Sequence, residues 1–163
     1  MAKNLNDINK VLAPYIRKAL ELTRDTIFEK VSQKILEYYN EPVFDNSNDS
    51  TTPVYYERTG RMMEEFTAFD IEKHGNEYSF KVGYPNEYLI FHYPSGFISI
   101  RYGNTYNGIT GLQVLKAFND GTHGCTVQGN HNYWNEAINE LGGEQGIINM
   151  FKQNCKRVGV PLM

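Results

Sequence analysis

Residues 7–39 read DINKVLAPYIRKALELTRDTIFEKVSQKILEYY, and this stretch decides the fold. Its apolar side chains fall at Ile8, Val11, Leu12, Tyr15, Ile16, Ala19, Leu20, Ile27, Val31, Ile35 and Tyr38, in steps of three and four that gather them on one face of a helix. Asp7 stands where a side-chain oxygen can cap the first turn. Pro14 has no N–H to give to a preceding carbonyl, so it either kinks this helix or opens a second one. From Pro14 to Tyr39 the helix runs about 39 Å at 1.5 Å per residue. A helix of that length covers a small sheet or lies along copies of itself in an oligomer.

Outward from this element the pattern changes. Residues 40–57 hold Pro42, the polar run Asn46-Ser47-Asn48-Asp49-Ser50-Thr51-Thr52 and Pro53, which read as an exposed, mobile loop. Thr59 can cap a short helix that carries Glu64 and Glu65 in its first turns, with Gly60 marking a turn. Residues 66–74 and 77–84 alternate, as in Tyr78, Phe80, Val82 and Tyr84, and His74-Gly75-Asn76 between them is a hairpin signal. Further strands are predicted at 87–92 and 97–102, with an irregular Gly- and Asn-rich stretch at 103–110.

Leu112, Leu115 and Phe118 give one apolar side to a short helix or turn over 111–119. Residues 132–141 are helical by pattern, with Trp134, Ala137, Ile138 and Leu141 inward and Glu136 and Glu140 on the solvated side. Gly142-Gly143 stops that helix. A last helix at 144–157 turns Ile147, Ile148, Phe151 and Cys155 inward, and Gly159 and Pro161 follow in an extended tail. The reading is an α+β fold: a long N-terminal helix packed on a small, mainly antiparallel sheet, with short C-terminal helices. It is taken as a single domain over 1–163, with the sheet region at 58–128 and the C-terminal helices at 132–157.

The chain has 163 residues, 40% hydrophobic and 21% charged, a composition that supports a packed core and argues against wholesale disorder. No run of 18 apolar residues predicts a membrane span, and the first residues lack the apolar centre of a signal peptide, so a cytosolic origin is expected. Net charge is −3, unevenly spread: residues 1–40 carry seven basic and five acidic residues, 41–100 four and ten, and 101–163 five and four. No segment has the dense basic stripe that grips phosphates, which counts against a nucleic-acid-binding module. Two cysteines, Cys125 and Cys155, are too few for a disulfide scaffold. The 17 asparagines and 12 tyrosines fit the codon bias of an AT-rich genome.

Catalytic chemistry has one foothold. His123-Gly124-Cys125 with His131 nearby could supply a Cys–His nucleophile pair or metal ligands, the basis of an alternative reading as a small thiol- or metal-dependent hydrolase. The spacing matches no standard zinc site. No phosphate-binding loop, dinucleotide fingerprint, nucleophile elbow or HExxH is present, so no catalytic residue, metal or cofactor is assigned. The aromatic set Tyr84, Tyr88, Phe91, His92, Tyr93, Phe97, Tyr102 and Tyr106 suits a sheet core and a subunit interface better than base stacking, because basic neighbours are missing.

The order of parts resembles the small neck and tail-completion proteins of long-tailed bacteriophages. The resemblance rests on a long N-terminal helix, a polar loop, the turn Arg58-Thr59-Gly60-Arg61 followed by Met62, a strand pair, and the turn Asp120-Gly121-Thr122 followed by His123. Asp120 stands where that family more usually has Glu, and residues 86–110 depart from its pattern as an insertion would. The resemblance implies a non-enzymatic virion protein that assembles as a ring in head–tail joining or tail completion. Its implied partners are further copies of itself, the portal-side connector and the tail tube, with genome DNA only as passing cargo and no membrane. It would sit in the virion, and in the host cytoplasm during assembly. Arg58, Thr59, Gly60, Arg61, Asp120, Gly121, Thr122 and His123 are the candidate interaction residues, as turns or at interfaces. The basic N-terminal segment and the acidic 41–100 region carry opposite charges suited to head-to-tail contacts between subunits.

Overall fold

The structure is a computed structural model and describes residues 5–39, 61–92, 98–99, 104–105, 110–119 and 132–160. The expected loop at 40–57 and the turn at 120–124 lie outside the described residues. Helix α1 spans Leu5–Tyr39 and runs unbroken through Pro14, which settles the choice between one helix and two. The chain packs as two compact units, one of Met1–Val31, Thr67–Gly83 and Glu136–Met163, the other of Ser32–Phe66 and Tyr84–Asn135.

In the first unit, β1 (Thr67–Ala68), β2 (Glu72–His74), β3 (Glu77–Ser79) and β4 (Val82–Gly83) form successive rungs of one hairpin. Thr67 pairs with Gly83 and Ala68 with Val82, and Glu72, Lys73 and His74 pair with Ser79, Tyr78 and Glu77. Gly75-Asn76 makes the two-residue turn the sequence signalled. The two long predicted strands are each interrupted, at 69–71 and 80–81, although Phe69 N–H still reaches the Lys81 carbonyl at 2.9 Å. The buried side of α1 runs in steps of four through Ala19, Thr23, Ile27 and Val31.

Helix α6 (Gly143–Arg157) meets α1 at Ala19, where Ala19, Cys155 and Val160 form one buried cluster with Phe151 and Val158 packed against it. Thr23 joins the same contact: its hydroxyl donates to the Ala19 carbonyl and accepts from the Asn154 amide at 3.0 Å. Arg24 reaches the Phe69 carbonyl at 2.9 Å, and Lys30 pairs with Glu140 at 2.9 Å. The end of α6 is fixed by Gly159, whose φ of 91° belongs to the left-handed region. Gly159 N–H bonds the Lys156 carbonyl and Val160 N–H the Cys155 carbonyl, the paired bonds of a Schellman motif, with Val160 and Cys155 supplying its apolar contact. The face predicted for α6 is right at Cys155 and differs at Ile148, which is exposed.

The second unit is built around aromatic rings. Phe66 and Tyr84 meet edge-on at 5.3 Å, Tyr84 and Tyr88 stack at 4.9 Å, and Tyr133 is buried with them. Ile35 of α1, Met62 of α2 (Arg61–Glu64) and Leu115 of α4 (Gly111–Asn119) are also buried in this unit. Helix α5 (Tyr133–Glu140) buries Tyr133 and Ala137, whereas Trp134, expected inward, is 37% exposed. The rest of the predicted face holds, with Ala137 fully buried and Ile138 and Leu141 half-buried.

The strand predicted at 87–92 is a helix, α3, over Asn86–Ile90. Pro85 explains the difference. Its ring holds φ at −67° at the N-cap, and its carbonyl accepts from both Tyr88 and Leu89 N–H. Tyr84 and Tyr88, four residues apart, then stack on one side, and Glu87 and Ile90 point to solvent. The predicted strand at 97–102 is represented by β5 (Ile98–Ser99), which pairs with β6 (Asn104–Thr105) inside the stretch expected to be irregular. Among the described residues the strands form three two-stranded antiparallel pairs, so the fold is α+β: a long N-terminal helix, a small antiparallel strand set and short C-terminal helices.

Candidate interaction surface

Of the interaction residues read from the sequence, Arg61 is described, whereas Arg58, Thr59, Gly60, Asp120, Gly121, Thr122 and His123 lie outside the described residues, as do Cys125 and His131. Arg61 opens α2. Its guanidinium carbon stands 3.5 Å from the centre of the Phe91 ring, and its Nε is 3.2 Å from Glu65 Oε1. The cation–π contact ties α2 to the segment after α3, and the ion pair with Glu65, one turn on, holds the guanidinium in place, so Arg61 is a clamp within its own unit.

That segment leads into the α3–α4 corner. Gly111 N–H bonds the Phe91 carbonyl at 2.9 Å, and His92 bridges Thr110. A Cβ at position 111 would collide with the Tyr88 carbonyl, so the two helices meet at a distance only glycine allows. Thr110 caps α4: its hydroxyl accepts from Gln113 N–H at 3.2 Å, while Gln113 Oε1 accepts from Thr110 N–H at 2.8 Å. This is a reciprocal capping box, and its signature, Thr followed three residues later by Gln, stands in the sequence. The sequence reading gave the helix and missed the cap.

Two groups have shifted titration. Burial pushes the Tyr133 phenol up to about 12, against the opposite pull of a side-chain hydrogen bond with Tyr84. Burial also raises the Cys155 thiol, which works against the thiolate a nucleophile needs. Among the described residues, no cluster of three His, Cys, Asp or Glu side chains could hold a metal ion. None of the described helices is long and apolar enough to cross a membrane.

The described surface offers exposed apolar side chains on the first turns of α1 and at the α3–α4 corner, and singly at Leu36, Trp134 and Ile148. On α1, Ile8, Val11 and Tyr15 are 43%, 62% and 44% exposed, and their spacing of three and four makes one stripe. These were predicted to face inward; the buried face of α1 instead begins at Ala19. Lys10, Arg17 and Lys18 are exposed in the same stretch, Lys18 beside the stripe and Lys10 and Arg17 on the far side of the helix by its 3.6-residue turn, and no acidic residue occurs between Ile8 and Leu20. At the α3–α4 corner, Ile90 is 69% and Leu112 is 42% exposed, one on each side of the Phe91–Gly111 hydrogen bond. Leu112 was expected on the inner side of its helix with Leu115. Glu87, exposed, lies three residues before Ile90. The signal for this corner was Pro85-Asn86-Glu87, a helix start with an acid in its first turn.

A comparison with protein-family models matches the YomN family over residues 4–157, nearly the whole chain. The chain belongs to that family, a phage-derived family of Bacillus of the SPBeta-like prophage type. No curated protein and no solved structure shows significant similarity to it.

Proposed function

We propose, taking that phage membership as the premise, that the chain is a structural component of the virion. In this reading it is built into the neck or the head-proximal end of the tail as a ring of identical subunits. Its neighbours are further copies, a portal-side connector and the tail tube, and genome DNA passes through without being held.

The observation that carries this reading is the apolar stripe Ile8, Val11 and Tyr15, left in solvent at the start of a 35-residue helix. A helix keeps such a face where another surface covers it. The local chemistry of the described part favours contact over catalysis. Arg61 is committed to Phe91 and Glu65, and Cys155 sits in the contact between α1 and α6.

Mass spectrometry of purified particles, with a gold label on the chain, tests it. Presence at the head–tail junction, in the number of one ring, is the expected result. Absence from mature particles overturns it, and activity and metal screens with Cys125→Ser then become the next experiments.

A further inference from the structure

The register of the hairpin in the first unit changes once along its length. Thr67 faces Gly83 and Ala68 faces Val82, and the bond from Phe69 N–H to the Lys81 carbonyl continues that alignment. Beyond it Glu72 faces Ser79, Lys73 faces Tyr78 and His74 faces Glu77, an alignment displaced by one residue. Asp70 and Ile71 therefore stand opposite Phe80 alone. That is a β-bulge, which bends the bulged strand and increases its twist. Ile71 is buried, whereas Asp70 and Glu72 on either side of it are exposed. On each side of the bulge a lysine lies over the aromatic ring across the hairpin, Lys81 over Phe69 at 4.8 Å and Lys73 over Tyr78 at 5.4 Å. The irregularity is thus confined to residues 70, 71 and 80.

Helix α1 reaches this point. Arg24 Nη1 donates to the carbonyl of Phe69, the last residue before the bulge, at 2.9 Å. Its Nε and Nη2 both donate to Asp25 Oδ1, at 2.8 and 2.7 Å. A guanidinium is planar and rigid, so the grip on Asp25 fixes the direction of the bond to Phe69. The Arg24 side chain is 16% exposed, which shields that bond from water. Past the bulge, residues 72–77 are all exposed.

We infer that residues 72–79 form an arm whose joint is the bulge at 70–71, and that Arg24 is the latch that fixes its direction against α1. Asp25 is a positioning residue that acts through the guanidinium. With the latch closed, the bend at the joint has one value, and every copy of the chain presents Glu72, His74 and Glu77 in the same place. With the latch open, the rungs on both sides stay paired and the arm swings about residues 70 and 71, where the backbone dihedrals absorb the change. This concerns the first unit alone and goes beyond the virion reading, which particle composition decides separately.

The test measures the direction of the arm in the full chain. Spin labels at Glu29→Cys on α1 and Asn76→Cys at the tip, both exposed positions, give a distance distribution by double electron–electron resonance. Cys125→Ser removes one native thiol, and Cys155 is buried out of reach of the label. This parent is expected to give one narrow distance. Arg24→Met is expected to broaden it and to speed amide exchange at Phe69 by roughly tenfold, with exchange in α6 unchanged. Asp25→Asn loosens the grip on the guanidinium and is expected to broaden the distance less. Deletion of Asp70 makes the ladder continuous, so the distance is expected to move to a new value and to stay narrow even with Arg24→Met. Arg24→Lys takes the place of Arg24→Met if circular dichroism shows the methionine variant unfolded. A parent distribution that is already broad overturns the inference. An unchanged distribution with Arg24→Met removes the latch, and an unchanged distance on deletion of Asp70 removes the joint. Faster exchange throughout the first unit with no change in distance assigns Arg24 to stability alone and overturns it too.

Discussion

Thr23 is the one polar side chain among the described residues with under 2% exposure, and its two hydrogen bonds explain how α1 tolerates it. Thr23→Val keeps the shape and removes the acceptor for the Asn154 amide. It is expected to cost about 1 kcal/mol in urea unfolding, and the Thr23→Val, Asn154→Leu pair less than the sum of its parts. Tyr133 gives the molecule an alkaline limit. Its phenol titrates at 10.0 when unfolded and at about 12 when folded, so the folded state keeps its proton longer. That contribution is complete below the unfolded value and disappears as pH rises through the folded one, a loss of about 2–3 kcal/mol across the window. Tyr133→Phe is expected to flatten this limb, seen as a smaller fall in the urea midpoint across the same pH range. Gly111→Ala is expected to destabilise although alanine is the better helix former. The added carbon meets the Tyr88 carbonyl, and overpacking of that kind costs about 1–3 kcal/mol.

Among the elements, α1, α4, α5 and α6 were legible because each carries enough turns for a repeat of three and four to show. Which face is buried was less legible. Periodicity groups apolar residues, and the chain that covers them is set by distant partners. For α1 the grouping from Ile8 to Tyr38 was continuous, yet burial begins only where α6 arrives at Ala19. Helix α3 was misread because five residues are too short for a period, and Tyr-Leu-Ile-Phe after Glu87 alternates as well as it turns. Of the Arg58–Arg61 stretch only Arg61 is described, and it proves to be held by Phe91, a partner 30 residues away that no local pattern announces. The cap of α4 belongs to this scale. Thr110→Ala is expected to cost about 1 kcal/mol and to fray α4 first, which amide exchange at Leu112 and Gln113 would show.

At the scale of the whole molecule, charge is the lever. Formal charge divides unevenly between the two units, one net positive charge in the first and four net negative charges in the second, and exposed charge is screened as the Debye length falls from about 10 Å at 0.1 M salt to about 3 Å at 1 M. The association of subunits proposed above is accordingly expected to weaken at the higher ionic strength in sedimentation, with the apolar part persisting. Pro14 then acquires a meaning that concerns timing. Because it gives no N–H to the Lys10 carbonyl, the turns ahead of it are the cheapest part of α1 to melt. Amide exchange in the turns ahead of Pro14 is expected to outpace exchange from Ala19 onward, where α6 packs on the helix. Pro14→Ala is expected to restore the missing bond to the Lys10 carbonyl and to slow exchange in those first turns.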